Sequence, residues 1–127
     1  MSSSALVVEN PENIGEAAFL FDESITSVII PSCVDTIGDN AFAGCSNLAS
    51  VTLNNGIQRI GNYAFQYCAI TAITIPGSAE IGEYAFSFCN NLESITLSEG
   101  ITTIGGCAFM DAPNYIHRNT KYRYLYR

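Results

Sequence analysis

The stretch IGDNAFAGCSNLASVTL at residues 37–53 decides the fold, because its pattern returns along most of the chain. An Ile-Gly dipeptide recurs at spacings of 23, 23, 21 and 23 residues, and its isoleucines are Ile14, Ile37, Ile60, Ile81 and Ile104. An Ala-Phe pair follows each copy, and its phenylalanines are Phe19, Phe42, Phe65, Phe86 and Phe109. A unit of this length repeated in register is typical of a solenoid, where each unit buries its apolar side against the next.

Each unit carries the signals of one strand and of tight turns. Apolar triplets follow the Ala-Phe pair in four copies, namely Ile25, Val28, Ile30; Leu48, Val51, Leu53; Ile70, Ile73, Ile75; and Leu92, Ile95, Leu97. The alternation in Val51-Thr52-Leu53 predicts a short strand, and stacked copies predict a parallel sheet with strands about 4.8 Å apart. Residues 5–8, one period earlier, are predicted to supply a strand for the first coil. The short third copy loses one residue before Ile70 and another after Ile75, so both deletions are expected in turns.

The glycine of each Ile-Gly step suits a turn that needs either a positive φ or a close approach of two backbones. We expect one helical turn to follow it and to point the alanine and phenylalanine inward. Together these signals predict an α/β repeat solenoid with a parallel sheet of short strands and short helical or irregular turns.

These residues resemble the repeat unit of the BspA-like leucine-rich repeat family, which reads approximately LxxIxIPxxVxxIGxxAFxxC. The resemblance covers residues 14–110 and implies the leucine-rich repeat fold. It also implies a surface-exposed or secreted protein used for adhesion and recognition. The residues from Met1 to Asn10 show no basic flank and no long apolar stretch, so no secretory signal is visible and the sequence itself leaves the localisation unknown.

Length and charge limit the remaining function classes. A chain of 127 residues suits a single domain, in which we distinguish the N-terminal strand 5–8, a repeat core 14–110 and a basic, tyrosine-rich tail 111–127. The net charge of −7 disfavours nucleic acid and anionic membranes as partners, because both attract basic patches. No apolar run approaches the about 20 residues that a membrane-spanning helix needs, so we expect no membrane insertion.

The cysteines do not form a recognisable chemical site. Cys45, Cys68 and Cys89 share one interior column of the repeat, and a bridge between two of them would leave the third unpaired. We interpret them as small buried residues with reduced thiols. The sequence has no CxxC pair, no histidine cluster and no phosphate-binding loop, so we expect no metal and no cofactor.

An enzyme is the least favoured function class. The candidate catalytic pair of a thiol and a base is Cys107 with His117, which stand ten residues apart. No third group is evident in the sequence to orient the histidine. We interpret Cys107 as an exposed, oxidisable thiol and His117 as a surface histidine.

Two surfaces are candidates for binding a protein or a glycan. On the sheet, a column of outward hydroxyl groups is formed by Thr52, Thr74 and Thr96. The alternative is that threonine is simply a good outward residue in a strand.

The second candidate surface is aromatic and lies beside the Ala-Phe pairs. Tyr63 and Tyr67 are four residues apart, as are Tyr84 and Phe88, so on a helical turn each pair would share a face. Stacked repeats would gather all four rings into one patch. The alternative is packing between coils.

The tail alternates aromatic and basic residues, and its candidate contact residues are Tyr122, Arg123, Tyr124 and Tyr126. In an extended segment the tyrosines would lie on one face and the basic groups on the other. Docking to a partner or to a neighbouring subunit would use both faces, whereas a cap over the last coil or a loose chain end are the alternatives.

The leading hypothesis is therefore a non-catalytic recognition module that binds another macromolecule through the solenoid surface. The alternative is a structural subunit that forms a homo-oligomer or joins a larger assembly. Neither end of the repeat matches a recognised polar cap, which solenoids need to close their terminal coils, and this favours the alternative.

Overall fold

A computed structural model describes residues 5–7 and 12–112 as stacked coils built from nine short strands. The strands are β1 Ala5–Val7, β2 Asn13–Ile14, β3 Ser27–Ile29, β4 Thr36–Ile37, β5 Ser50–Thr52, β6 Arg59–Ile60, β7 Ala72–Ile75, β8 Glu80–Ile81 and β9 Ser94–Leu97. Strands of two kinds alternate along the chain, so each complete coil contributes one strand to each of two surfaces.

The first surface consists of the front strands β1, β3, β5, β7 and β9, which run parallel. They form two separate ladders, with the order β1-β3-β5 and the order β7-β9. The register pairs Ser27 with Ser50 and Val28 with Val51, which is the offset that the sequence repeat predicts. The N-terminal strand predicted at residues 5–8 is present at residues 5–7.

The second surface is the side sheet, with the parallel order β2-β4-β6-β8. Each of its strands is only two residues long and ends at the isoleucine of an Ile-Gly step. These isoleucines pair with one another from coil to coil, and a single bridge from Ile81 to Ile104 continues the column. The Ile-Gly repeat therefore marks a strand end as well as a turn.

The Ala-Phe segments correct the expected helical turn, because the described residues contain no helix. The backbone N–H groups of Tyr63, Phe65 and Tyr67 donate across to the carbonyls of residues 83, 85 and 87 in the next coil, at N to O distances of 2.9, 2.7 and 3.0 Å. An α-helix would need these N–H groups for carbonyls four residues back in its own chain. The segment is instead a run of turns, and its intercoil bonds between backbone groups run from the N–H of one coil to the carbonyl of the following coil.

The core lies between the two strand surfaces and the Ala-Phe segments. Its centre is the predicted phenylalanine column, in which adjacent rings stack with centroids 5.2 to 5.3 Å apart. The rings of Phe42, Phe65, Phe86 and Phe109 are fully buried. The prediction that these phenylalanines point inward is confirmed, and each ring also contacts its equivalents in neighbouring coils.

Close backbone approach, one of the two reasons the sequence left open, explains four of the glycines of the Ile-Gly steps, namely Gly38, Gly61, Gly82 and Gly105. Nothing lies within 4 Å of a Cβ added at Gly15. None of these glycines has a positive φ. A Cβ placed on Gly61 would lie 2.6 Å from the backbone N of Asp39 in the preceding coil. A side chain at this position would therefore push two coils apart.

Candidate functional site

The aromatic face comprises Tyr63, Tyr67, Tyr84 and Phe88. Tyr63 stacks on Tyr84 with ring centroids 5.1 Å apart, and Tyr67 stacks on Phe88 at 4.9 Å. The rings that meet are therefore equivalents in successive coils, and not the residues four apart that a helical turn would have brought together. The two stacks lie on either side of the buried phenylalanine column.

An unusual backbone conformation positions these four rings. Tyr63, Tyr67, Tyr84 and Phe88 have φ values of 62°, 65°, 58° and 59°, in the left-handed region that bulky residues rarely adopt. The same conformation recurs two residues before and two residues after the buried phenylalanine in each coil, so the turn geometry requires it. A left-handed residue costs about 1–2 kcal/mol when it is not glycine. Stacking between coils offsets part of this cost.

Phe21 extends the aromatic face, although it was not among the residues predicted from the sequence. It occupies the position of Tyr67 and Phe88 in an earlier coil, also with a positive φ, and its side chain is 70% exposed. Gly44 holds the same position in the coil between, and a Cβ on Gly44 would overlap the Phe21 ring. The signal that could have found Phe21 is this column, two residues after each core phenylalanine.

The predicted threonine column is present on the front strands. Thr52, Thr74 and Thr96 all point outward and are exposed. Ile29 precedes Thr52 in the same column and pairs with it. Its side chain is 59% exposed, and this exposure was not predicted from the sequence. The column therefore carries an exposed apolar group before its hydroxyl groups.

A cleft interrupts the front strands between β5 and β7. No backbone pairing joins these two strands, although β5 pairs with β3 and β7 pairs with β9. The cleft has a volume of about 210 Å³, and its rim carries the hydroxyl groups of Thr52, Thr74, Ser94 and Thr96. Its position coincides with the third repeat, which reaches β7 through a turn one residue shorter than the others.

A second cleft, of about 220 Å³, lies on the side sheet and is lined by charged groups including Arg59, Glu80 and Glu83. Arg59 pairs with Asp39 at an Nη1 to Oδ1 distance of 3.3 Å. The same Asp39 oxygen accepts the backbone N–H of Asn62 at 2.8 Å. The polar groups beside this cleft thus bond to backbone of the neighbouring coil and hold the coils together.

The interior cysteines have the environment of structural thiols. Each Sγ donates to the carbonyl of a core phenylalanine in the preceding coil, from Cys45 to Phe19 at 3.1 Å and from Cys68 to Phe42 at 3.2 Å. Burial raises the pKa of the Cys45 thiol from its ordinary 9.0 to about 11, and it raises the pKa of Cys68 further. Their predicted burial is confirmed, and such thiols are poor nucleophiles.

Cys107 is half-buried, so the prediction of an exposed thiol is only partly met. A hydrogen bond with its side chain raises the pKa of Tyr84, and this contact belongs to the column that contains Tyr63. His117 and the tail contacts Tyr122, Arg123, Tyr124 and Tyr126 lie outside the described residues. Within residues 5–7 and 12–112, no group of three or more histidine, cysteine or acidic side chains is placed to hold a metal ion.

The same described ranges contain no helix of the length and hydropathy that crossing a membrane requires.

Comparisons with solved structures identify the fold. A leucine-rich repeat protein from Bacteroides capillosus is 28% identical, with a TM-score of 0.66, and the match covers 77% of this chain and 79% of that protein. The pneumococcal vaccine antigen PcpA has a TM-score of 0.75 at 22% identity, over 87% of this chain and 33% of PcpA. A leucine rich cell surface protein from Faecalibacterium prausnitzii has a TM-score of 0.57 at 21% identity, over 87% of this chain and 46% of its own. These proteins share the parallel-strand solenoid.

No curated protein sequence matches the chain significantly. The BspA type leucine rich repeat region matches in six copies over residues 12–120, one more than the five Ile-Gly units counted from the sequence. This match covers most of the chain, and the chain belongs to the BspA-type leucine-rich repeat family.

Proposed function

We propose that this protein is a non-catalytic recognition module that binds another macromolecule, a protein or a glycan, through the aromatic face. The observation that carries the proposal is the pair of aromatic stacks, Tyr63 on Tyr84 and Tyr67 on Phe88. Tyr67 is exposed and the other three rings are half-buried, and the exposed ring of Phe21 holds the position of Tyr67 two coils earlier. Tyr67 is 54% exposed even though it stacks on Phe88, so packing between coils does not account for its whole surface.

The geometry suits binding because the rings are held before a partner arrives. Each ring is fixed by its stacked neighbour and by intercoil hydrogen bonds on its own backbone, so ordering it on binding costs little entropy. Exposed tyrosine and phenylalanine rings supply large contact areas with few rotatable bonds, which is why interface hot spots contain them so often.

Family membership supports an adhesion-like role at a cell surface, the setting that the repeat resemblance implies. The buried thiols of Cys45 and Cys89 have a raised pKa and are poor nucleophiles, which supports a function in binding.

The proposal is tested with a panel of immobilised extracellular-matrix proteins and glycans. The parent protein should bind at least one member, and a double variant Tyr67→Gly, Phe88→Gly should bind at least about tenfold more weakly, because two ring contacts are removed. Thr36→Val on the side sheet is the control and should bind like the parent. Equal binding by the double variant would exclude the aromatic face.

A second candidate function, assembly with copies of itself, is supported by the distribution of charge. Residues 1–112 carry all twelve acidic side chains and one basic side chain, whereas residues 113–127 carry the other four basic groups. A basic tail on one copy would attract the acidic body of another. Light scattering over a concentration series tests this candidate. The average molar mass should rise with protein concentration if the chain assembles with itself, and a simple recognition module should stay monomeric.

A further inference from the structure

The cleft between β5 and β7 has features of a ligand site that differ from those of the aromatic face. It interrupts a surface that is otherwise regular, because β1, β3 and β5 form one continuous ladder and β7 and β9 form another. The deletion before Ile70 and the deletion after Ile75 flank β7, so the interruption falls at the one repeat whose length differs.

The space between the two strands is too narrow for an inserted strand. Cα atoms of β5 and β7 still lie within 8 Å of each other, whereas an added strand would need the two strands to stand about 9.6 Å apart, twice the usual spacing. Val51 and Ile73 remain buried at the floor of the cleft. An extended peptide is therefore excluded as the occupant.

The chemistry of the cleft favours a neutral ligand with many hydroxyl groups. None of the eight residues that line it is charged, so no side chain of the cleft forms an ion pair with a charged ligand. Thr52, Thr74, Ser94 and Thr96 each carry a hydroxyl that both donates and accepts hydrogen bonds. The facing edges of β5 and β7 add backbone N–H and C=O groups to the walls. Sugar hydroxyl groups likewise donate and accept at neighbouring positions.

The volume indicates how much of a sugar the cleft takes. At about 210 Å³ it equals about seven water molecules, at about 30 Å³ each, and it falls below the about 300 Å³ at which pockets for larger ligands begin. A single sugar ring fits this volume. Ala72 helps to make the space, because the equivalent positions in three other coils carry the larger residues Ser27, Ser50 and Ser94.

We propose that the cleft between β5 and β7 binds one neutral hexopyranose unit through the hydroxyl groups of Thr52, Thr74, Ser94 and Thr96. This site does not depend on the aromatic face, so either proposal can fail alone.

The test is a titration of the isotope-labelled protein, followed by amide chemical shifts, with methyl α-glucopyranoside, methyl β-galactopyranoside and N-acetylglucosamine as probes. At least one sugar should produce saturable shifts at Thr52, Thr74 and Thr96, with a Kd on the order of 1 mM, as expected for a small ligand. No saturable shift with any of the three at concentrations on the order of 100 mM would overturn the proposal.

Two kinds of variant localise the binding. The double variant Thr74→Val, Thr96→Val removes two hydroxyl groups with little change of shape and should weaken binding at least about tenfold. Ala72→Phe should abolish binding by filling the cleft. Thr36→Val is the matched control on the side sheet, and Tyr67→Gly is the control for the aromatic face; both should leave the Kd unchanged. Parental affinity in both cleft variants, or shifts that centre on Tyr67 and Phe88, would contradict the assignment.

Discussion

The ring of Phe65 lies almost parallel to the ring of Phe42, with centroids 5.2 Å apart and planes inclined by 3°. Phe65 also stacks on Phe86 at 5.3 Å, so it is packed on both faces. A residue so placed contributes to the interface on each side of its coil. Removing the Phe65 ring would therefore remove its contacts with both Phe42 and Phe86.

Replacing Phe65 with Ala should lower the free energy of unfolding by about 3–5 kcal/mol, because a ring is lost and a cavity remains between two coils. A loss of this size approaches the whole stability of a small domain. Thermal unfolding followed by circular dichroism measures it. A melting temperature within two or three degrees of the parent would show that the phenylalanine column is not part of the hydrophobic core.

Replacing Gly61 with Ala should destabilise the protein by about 1–3 kcal/mol, because the added Cβ would meet backbone atoms of the preceding coil that cannot move aside easily. Gly15→Ala is a matched control from the same repeat position, since nothing lies within 4 Å of a Cβ added there. Urea unfolding of the two variants should give a large loss for Gly61→Ala alone. Equal losses would refute close approach as the reason for the glycine.

Two substitutions of Tyr67 should differ in stability because its φ of 65° suits glycine and not alanine. Both lose the stack on Phe88, but alanine keeps a left-handed cost of about 1–2 kcal/mol that glycine relieves. Glycine also gains conformational entropy in the unfolded chain, which offsets part of this advantage. Tyr67→Gly should therefore be about 0.5–1 kcal/mol more stable than Tyr67→Ala. At Thr74, in the extended β7, the order should reverse. The free energies of unfolding of Tyr67→Gly, Tyr67→Ala, Thr74→Gly and Thr74→Ala, measured in denaturant, test both orders.

The interior thiols should make stability fall at alkaline pH. Burial raises the pKa of Cys45 from 9.0 to about 11 and that of Cys89 to about 12. Above pH 9 the unfolded chain loses these protons while the folded protein keeps them, so their stabilising contribution is complete below pH 9 and declines as the pH rises toward 11 and 12. Unfolding free energies measured from pH 8 to 11 should fall. The slope should be smaller in Cys45→Ala, Cys89→Ala, and iodoacetamide should label the native parent slowly at both positions.

Residues 118–127 lie outside the described residues, and deleting them separates the interpretations of the tail. If the tail is an assembly contact, the truncated protein should keep its melting temperature and lose association, with the largest effect at low salt, where charge attraction is least screened. Light scattering and thermal unfolding measure the two quantities. A sharp fall in melting temperature in a protein that is monomeric throughout would identify the tail as a cap and remove the main support for assembly.

The repeat alone was enough to predict the coil stack, the parallel strands and the buried columns, because a column such as Phe42, Phe65 and Phe86 is visible as a fixed spacing in the chain. The prediction of a helical turn was wrong because the backbone N–H groups of the Ala-Phe segments bond to another coil. A spacing of four residues in the sequence does not reveal which carbonyl an N–H group bonds to. Phe21 was overlooked because its neighbour in the column is Gly44, which hides the aromatic pattern. The break between β5 and β7 depends on how one missing residue is absorbed, and that is a property of packing rather than of pattern.

The intercoil hydrogen bonds of the Ala-Phe segments give the stack a direction. From Ala17 to Phe88, each intercoil bond between backbone groups of these segments passes from the N–H of one coil to the carbonyl of the next. The peptide dipoles therefore add along the axis, with the carbonyl groups of this surface directed toward the N-terminal coils and its N–H groups directed toward the C-terminal coils. Two copies joined end to end through it would have to align head to tail. Such a contact is heterologous and leaves a fresh end after every addition, so it extends a filament instead of closing a symmetric dimer.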